Sequence, residues 1–417
     1  MEMYENEIKP ERALLVEVDT GDYDTEASLT ELYELVRSAG AEPFGSMTQK
    51  RPSPDKATCV GSGMMIQIKE FCEQYEIELL VFDCELSPSQ IRNIEKISEV
   101  HVVDRTMLIL DIFAARAKSK EGKLQVELAQ LRYMMPRLSG MGIELSRQGG
   151  GIGTRGPGES KLETDRRHIR KRIDNLNEQL DEVEKHRDQI NRRRQKDGVI
   201  TVALVGYTNA GKSTLMNYLT QAGVLVKDML FATLDPTARA LKLPQGTTVM
   251  VIDTVGFVRR LPHHLVQAFR STLEQAATAD IILNICDASS PEAQVHLEVT
   301  KTLLAELGCE DRPIIPVFNK CDMLPPISFV PFVDSAVRIS ATTGDGVEKL
   351  LSVIEENLPV KSKHVKLILP FAQSGLAAQI RRDGIVESEE YIQTGLMLTA
   401  QVSPQMFETI KEFIIEE

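Results

Sequence analysis

Hydrophobic positions change period several times along this chain, and each change marks a different kind of element. Ala13 to Val18 is a short apolar run that predicts a strand, and Leu29, Leu32, Tyr33 and Val36 recur at helical spacing before Gly40. Leu79 to Phe82 and Val100 to Val103 read as further strands around the helix-like Ser87 to Ile97. Strands alternating with helices over residues 1–105 predict a small parallel α/β domain. From Leu162 the pattern becomes a heptad seam: Leu162, Arg166, Ile169, Ile173, Leu176, Leu180, Val183, Arg187 and Ile190 follow steps of four and three. One helical arm is expected from Met107 to about Tyr133 and a second from about Lys161 to Lys196. Together they predict an antiparallel coiled-coil hairpin over 106–197, roughly 50 Å long at about 1.5 Å per residue. Its tip would be the loop 136–160, which holds eight of the chain's 26 glycines.

A second and stronger α/β pattern covers 198–358, with strands at Ile200–Val205, Thr248–Ile252, Ile281–Cys286 and Ile314–Phe318. The last segment, 361–417, reads as strand (Val365–Leu369), helix (Leu376–Arg382), strands near Tyr391 and Leu396, and helix (Pro404–Ile415). That order resembles part of a ferredoxin-like α+β module. The expected fold class is therefore multidomain α/β: a mixed or mainly parallel sheet flanked by helices, with a small α/β domain and hairpin before it and an α+β domain after it.

Composition narrows the function classes. With 417 residues, 42% hydrophobic and 26% charged, the chain has enough apolar surface for several cores and is not of disordered type. No run of 18 apolar residues predicts a membrane span. The acidic stretch Met1–Glu7 is unlike a secretory leader, so a cytoplasmic protein is expected, with ribosome or peripheral membrane association left open. Six cysteines without CxxC or CxxH spacing read as reduced thiols. A net charge of −13 gives no general reason to expect nucleic acid. The segment Lys161–Lys196 departs from it, with 12 Lys/Arg against 8 Asp/Glu. Its clusters Arg166-Arg167, Arg170-Lys171-Arg172 and Arg192-Arg193-Arg194 are the best phosphate-contact candidates in the chain. A solvated coiled-coil face would carry similar charges.

The chemistry is concentrated in 198–358. Gly206-Tyr207-Thr208-Asn209-Ala210-Gly211-Lys212-Ser213, followed by Thr214, matches GxxxxGK[ST] between an apolar strand and a helix start. Such a loop curls its N–H groups round phosphates, Lys212 reaches the β/γ oxygens, and Ser213 offers a hydroxyl to Mg²⁺. Asp253-Thr254-Val255-Gly256 ends the next apolar strand, where Asp253 can hold Mg²⁺ through water and the Gly256 N–H can touch a γ-phosphate. Asn319-Lys320-Cys321-Asp322 follows a third strand. The Asp322 carboxylate can accept from guanine N1–H and its exocyclic amine, a donor pair adenine lacks. Ser340 and Ala341 complete the ordered set, which implies GTP and GDP as ligands. In Phe231-Ala232-Thr233-Leu234-Asp235, Thr233 is the candidate hydroxyl for Mg²⁺ and γ-phosphate, with Thr237 competing. Lys212, Thr233 and Gly256 are the expected catalytic groups. Phe257 occupies the position where many small GTPases carry a water-orienting Gln, so intrinsic hydrolysis is expected to be slow and partner-stimulated.

These motifs, with Gly150–Glu159 (GGIGTRGPGE) and Leu162–Arg167 (LETDRR), resemble the HflX family of the Obg/HflX group of P-loop GTPases over residues 1–358. The resemblance implies a partner in the large ribosomal subunit and its rRNA, and in some bacteria the splitting of stalled or idle ribosomes. With such a partner, a hairpin of that length, glycines that permit close approach and the cations Arg147 and Arg155 make the tip loop a candidate RNA contact, the alternative being an idle linker. A monomer is expected. Asn209 stands where related GTPases lacking the Gln can coordinate K⁺. Competing readings are a switch for a tRNA-modifying or metal-delivery system, and a dual ATP/GTP hydrolase. No GxxxxGK or GxGxxG before residue 149 supports the last.

Overall fold

The computed structural model describes residues 9–137, 157–196, 198–220, 230–231, 237–260, 278–309, 311–324, 336–359, 363–402 and 404–416. It clusters into two compact units. One comprises Met1–Glu184, Asp228–Leu234 and Arg259–Phe269; the other comprises Lys185–Lys227, Asp235–Val258 and Arg270–Glu417.

In the first unit, β1 (Arg12–Asp19), β2 (Glu42–Lys50), β3 (Leu79–Phe82) and β4 (His101–Asp104) form an all-parallel sheet in the order β2-β1-β3-β4. The helices between them are α1 (Thr25–Ala39), α2 (Ser62–Tyr75) and α3 (Pro88–Ser98). Local chemistry sets their ends: Asp24 caps α1 by accepting from the Ala27 N–H, and Gly40 ends it at φ 93°. A Ser87/Gln90 capping box opens α3. One face of the sheet is filled by Leu14, Val16, Met65, Ile68, Leu80, Phe82 and Ile94. β2 and α2 are additions to the sequence expectation. β2 is an edge strand containing Pro43 and Gly45, and its burial never rises above partial, so it carries no apolar run.

The expected single arm over 107–133 is corrected to two helices, α4 (Arg105–Arg116) and α5 (Lys120–Met134). Ser119 breaks it by capping α5, its hydroxyl accepting from the Gly122 N–H. α4 is apolar nearly all round, buries Leu108, Ile109, Leu110, Ile112 and Phe113, and packs on α1. It thus belongs to the N-terminal layer, beyond the boundary expected at 105. The second arm is one helix, α6 (Pro157–Lys196). It starts inside the span read as loop, because Pro157 suits the first turn of a helix. Ile173, Leu176 and Leu180 of its heptad seam cluster with Leu124, Leu128 and Leu131 of α5. The loop residues 138–156, Arg147 and Arg155 among them, lie outside the described residues.

The second unit holds a six-stranded sheet in the order β10-β9-β8-β5-β7-β6. Its strands are β5 (Ile200–Gly206), β6 (Thr237–Lys242), β7 (Thr248–Asp253), β8 (Ile281–Asp287), β9 (Ile314–Asn319) and β10 (Val337–Arg338). All pairs are parallel except the edge pair β6–β7. The helices α7 (Lys212–Thr220), α8 (Ala293–Glu306) and α9 (Val347–Glu356) flank it. The C-terminal strands β11 (Lys363–Leu369), β12 (Ile385–Ile392), β13 (Gly395–Val402) and β14 (Ile414–Glu416) pair antiparallel in the order β12-β13-β11-β14. With α10 (Ser374–Asp383) and α11 (Pro404–Ile410) they complete a βαββαβ ferredoxin-like module. The helix expected over 404–415 stops at Ile410, and the apolar pair Ile414-Ile415 forms an edge strand instead. Among the described residues no helix is long and apolar enough to cross a membrane.

Candidate functional site

The phosphate loop grows from the C-terminal end of β5, in the middle of the six-stranded sheet, the end at which open parallel sheets take their ligands and the next helix begins. Gly206 has φ 151°, and a Cβ there would lie 2.0 Å from the Ile285 carbonyl oxygen. Only glycine fits. The same holds at Gly211, with φ 88° and an added Cβ 2.2 Å from Asn319 Nδ2. Between them Asn209, at φ 60°, forms the exposed tip. Lys212 opens α7 and is 6% exposed. Its ammonium donates to the carbonyls of Gly206 (3.0 Å) and Tyr207 (2.8 Å). Burial pushes its pKa down to about 8, against the opposing pull of Asp253. A polyanion is the ligand such a buried ammonium suits.

Asp253 ends β7 at 0% exposure and accepts from the Ser213 hydroxyl at 2.7 Å. A hydroxyl and a buried carboxylate side by side are hard oxygen donors of the type Mg²⁺ selects, so these residues fit the ion. Thr254 is spent on structure, its hydroxyl donating to the Leu204 carbonyl at 2.7 Å, and Val255 is core. Gly256 lies flat on the loop: a Cβ would be 2.8 Å from Thr208 Cα and 3.0 Å from Lys212 Nζ. Phe257, 2% exposed, pairs with the loop through its backbone. Its N–H donates to the Gly206 carbonyl (3.1 Å) and its carbonyl accepts from the Thr208 N–H (2.8 Å).

The base-recognition end is held by Asn319, 1% exposed at the end of β9. Its amide donates to the Ala210 carbonyl (2.9 Å) and accepts from the Ala341 N–H (2.9 Å), tying the phosphate loop to the Ser340-Ala341 turn. Ser340 stabilises that turn by accepting from the Thr343 N–H. Lys320 adopts a left-handed φ of 61°, Cys321 donates its N–H to the Ile339 carbonyl, and Asp322 stays exposed.

Two supports were not anticipated from the sequence. Asp287 closes β8 and forms an ion pair with Lys320 at 2.8 Å; its signal was an acid at the end of an apolar strand, the one that marks Asp253. His296 of α8 stacks on Tyr207 with ring centroids 3.9 Å apart, a contact no local pattern announces.

Ala232, Thr233, Leu234 and Asp235 lie outside the described residues. Phe231 belongs to the first unit, buried edge-on against Phe113 of α4 at 4.6 Å. Its neighbour Leu230 donates its N–H to Ser38 Oγ. Thr237 opens β6 opposite Asp253, and its hydroxyl is buried without a hydrogen-bond partner among the described residues.

Comparison with known proteins agrees with this geometry. Family models described as GTP-binding GTPase N-terminal, GTP-binding GTPase Middle Region and 50S ribosome-binding GTPase match residues 26–114, 116–194 and 201–320. The chain is 47% identical to the GTPase HflX of Caldanaerobacter subterraneus subsp. tengcongensis, over 97% of this chain and 94% of that one. The chain belongs to the HflX family of GTPases. Another member, the GTPase HflX of Lacrimispora saccharolytica, is 47% identical over 96% of each chain. That of Escherichia coli K12 is 43% identical over 91% of this chain and 90% of its own.

On the HflX helical arm, the cationic residues do not form one uniform patch. Arg167, Arg170 and Lys171 are exposed and Arg166 half-buried. Arg172 is engaged in a two-pronged pair with Glu127 of α5, at 2.6 and 2.8 Å. That pair joins the two helices, so Arg172 is the weakest of the RNA-contact candidates.

Proposed function

We propose that this chain binds and hydrolyses GTP and acts on the large ribosomal subunit, its helical arm contacting rRNA. The observation that carries the nucleotide part is Asn319, which ties the loop that would cradle phosphates to the turn that would frame the base. The ribosomal part rests on family membership and on the local positive charge of α6.

In the proposed reaction Lys212 and the loop N–H groups hold the β- and γ-phosphates, Gly256 faces the γ-phosphate, and Asp322 selects guanine. Ser213, with Asp253 through water and Thr233, would hold Mg²⁺, which neutralises charge developing on the phosphate oxygens. Asn209 is the residue that would hold K⁺; equal hydrolysis rates in K⁺ and Na⁺ with ribosomes present would remove that role. Phe257 offers no hydrogen bond to an attacking water, so the ribosome supplies the missing positioning and the free protein turns over slowly.

Sedimentation through sucrose gradients tests the proposal. Comigration with large subunits should be strong with a non-hydrolysable GTP analogue and weak with GDP. Nucleotide-independent sedimentation at the top of the gradient would reject the ribosomal reading while leaving GTP binding to be measured separately.

A further inference from the structure

The N-terminal sheet has its own crevice. In the strand order β2-β1-β3-β4 the connections leave β1 in one direction and β3 in the other, and ligands of such sheets sit outside the strands' C-terminal ends at that switch point. Here the ends carry carboxyls: Glu17 on β1 (1% exposed), Asp83 just past β3 (1% exposed), and Glu31 from α1. A phosphate-bearing ligand would meet like charge, which argues against the ATP site considered above.

The crevice is filled by arginines. Arg105, from the start of α4, donates to Asp83 Oδ1 at 2.6 Å and pairs with Glu31. Arg260, which belongs to this first unit, donates to Asp83 Oδ2 and to Ser28 Oγ. Its guanidinium lies 4.0 Å from the centre of the Tyr23 ring, and the Tyr23 hydroxyl is fixed on the Val18 carbonyl. Planar stacking on an aromatic face plus a buried carboxylate is the recognition pattern for a guanidinium rather than an ammonium. The backbone of Arg259 is gripped as well, its carbonyl accepting from Arg105 Nη2 at 3.0 Å. Arg260 sits at φ 47°, a conformation that side-chain-bearing residues adopt at a cost, here offset by the crevice contacts. Burial and the adjacent Asp83 push the Glu17 carboxyl up to about 8.

What gives this site meaning is where Arg260 lies in the chain: three residues after Phe257 and four after Gly256. At most about 3.6 Å of chain per residue separates them. Gly256 and Phe257 lie on the phosphate loop: the Phe257 carbonyl takes up the Thr208 N–H, and Gly256 packs so closely on Thr208 that a Cβ would meet its Cα at 2.8 Å. On the proposed reading, GTP would draw on the loop N–H groups and on Gly256 itself.

We propose that the crevice at the ends of β1 and β3 is a guanidinium-binding site whose occupant is Arg260 of the same chain, and that its occupancy opposes GTP loading by tethering the segment after Gly256. This rests on reading Gly256 as the γ-phosphate contact. Because coupling is reciprocal, GTP loading weakens the Arg260 contact by the factor that the contact weakens GTP.

The test uses the full chain as wild type, Arg260→Ala and Arg260→Lys. Arg260→Ala should bind a fluorescent non-hydrolysable GTP analogue about tenfold more tightly, within the usual range for such coupling, with GDP affinity changed less than twofold. Arg260→Lys, which keeps the charge but loses the planar fork, should fall between. Hydrogen exchange of peptides covering 17–31 and 83–86 should quicken when the analogue binds wild type. In Arg260→Ala exchange should already be fast, and millimolar ethylguanidinium should slow it. An unchanged GTP-to-GDP affinity ratio, or exchange insensitive to both variant and ethylguanidinium, overturns the inference. Failure of wild type to bind any GTP would instead defeat the reading of the nucleotide site.

Discussion

Replacing Asn319 with Ala tests whether the site is built by the chain or assembled only around a ligand. The side chain is 1% exposed and makes two 2.9 Å hydrogen bonds to backbone groups of two different loops. Truncation strands the Ala210 carbonyl and the Ala341 N–H, whose residues are themselves 1% and 4% exposed. Leaving a buried backbone group unsatisfied costs about 1–3 kcal/mol. Both loops reach the surface and can admit water, so the lower half of the combined range applies, about 3 kcal/mol. Chemical unfolding without nucleotide should show that loss, and GTP affinity should drop by about two orders of magnitude if the loops part. Asn319→Asp should be worse than Ala at neutral pH, because a carboxylate would face the Ala210 carbonyl. If Asn319→Ala loses less than 1 kcal/mol without nucleotide, the tie is not structural and the argument from its geometry fails.

Further outcomes follow from other parts of the chain. Asp322→Asn should weaken GTP and strengthen xanthosine triphosphate, read by competition binding; an unchanged preference for GTP removes Asp322 from the site. Glu17 has its folded pKa raised from 4.5 to about 8 by burial and Asp83, with Arg260 and Tyr23 opposing. The folded state therefore holds the proton more tightly, and its contribution to stability is full below about pH 4.5 and declines as pH rises towards 8. Glu17→Gln should flatten that decline in thermal unfolding between pH 5 and 8, and parallel profiles would show that Glu17 does not titrate there. Replacing residues 147–158 with a short Gly-Ser turn should leave GTP affinity intact and impair action on the large subunit, measured by gradient sedimentation and subunit separation.

What could be read from the sequence divides along physical lines. The central strands of both sheets are continuous apolar runs because parallel strands bury both faces, so β1, β3, β5, β8 and β9 announced themselves. Three edge strands did not: β2 alternates exposed and half-buried positions, β6 is exposed along most of its length, and β10 is two residues long. The nucleotide motifs were legible because backbone geometry dictates residue type, as the 2.0 Å clearance at Gly206 shows. Of the supports behind them, Asp287 carried the strand-end signal that marks Asp253, whereas His296 and Phe113 are placed by contact between distant segments. The deepest miss concerns residues 230–231 and 259–260. By sequence they belong to the GTPase pattern, yet Phe231 packs on Phe113 and Arg260 on Asp83 in the first unit. A single Arg in a loop carries no local signal of an acidic pocket formed more than 170 residues earlier.

Phe257 links nucleotide loading to control by a partner. It stands where a water-orienting side chain would be, and the structure shows what the substitution does besides removing that group. Its ring is buried and its backbone makes two hydrogen bonds to the phosphate loop. Withdrawing it would expose a phenyl ring, at about 1.5–3 kcal/mol, and break two bonds worth about 1 kcal/mol each net. A resistance of about 4 kcal/mol leaves the withdrawn form near one part in a thousand. Inverting even a two-state balance of 1:99 takes about 5.5 kcal/mol of differential binding, and the balance here is steeper. One γ-phosphate, contributing through a few hydrogen bonds of about 1.5–3 kcal/mol each to charged groups, supplies a large share but little surplus. A second ligand that prefers the withdrawn form then decides the outcome. On the proposed reading that ligand is the ribosomal subunit, so the residue that slows hydrolysis in the free protein also makes it conditional on the partner.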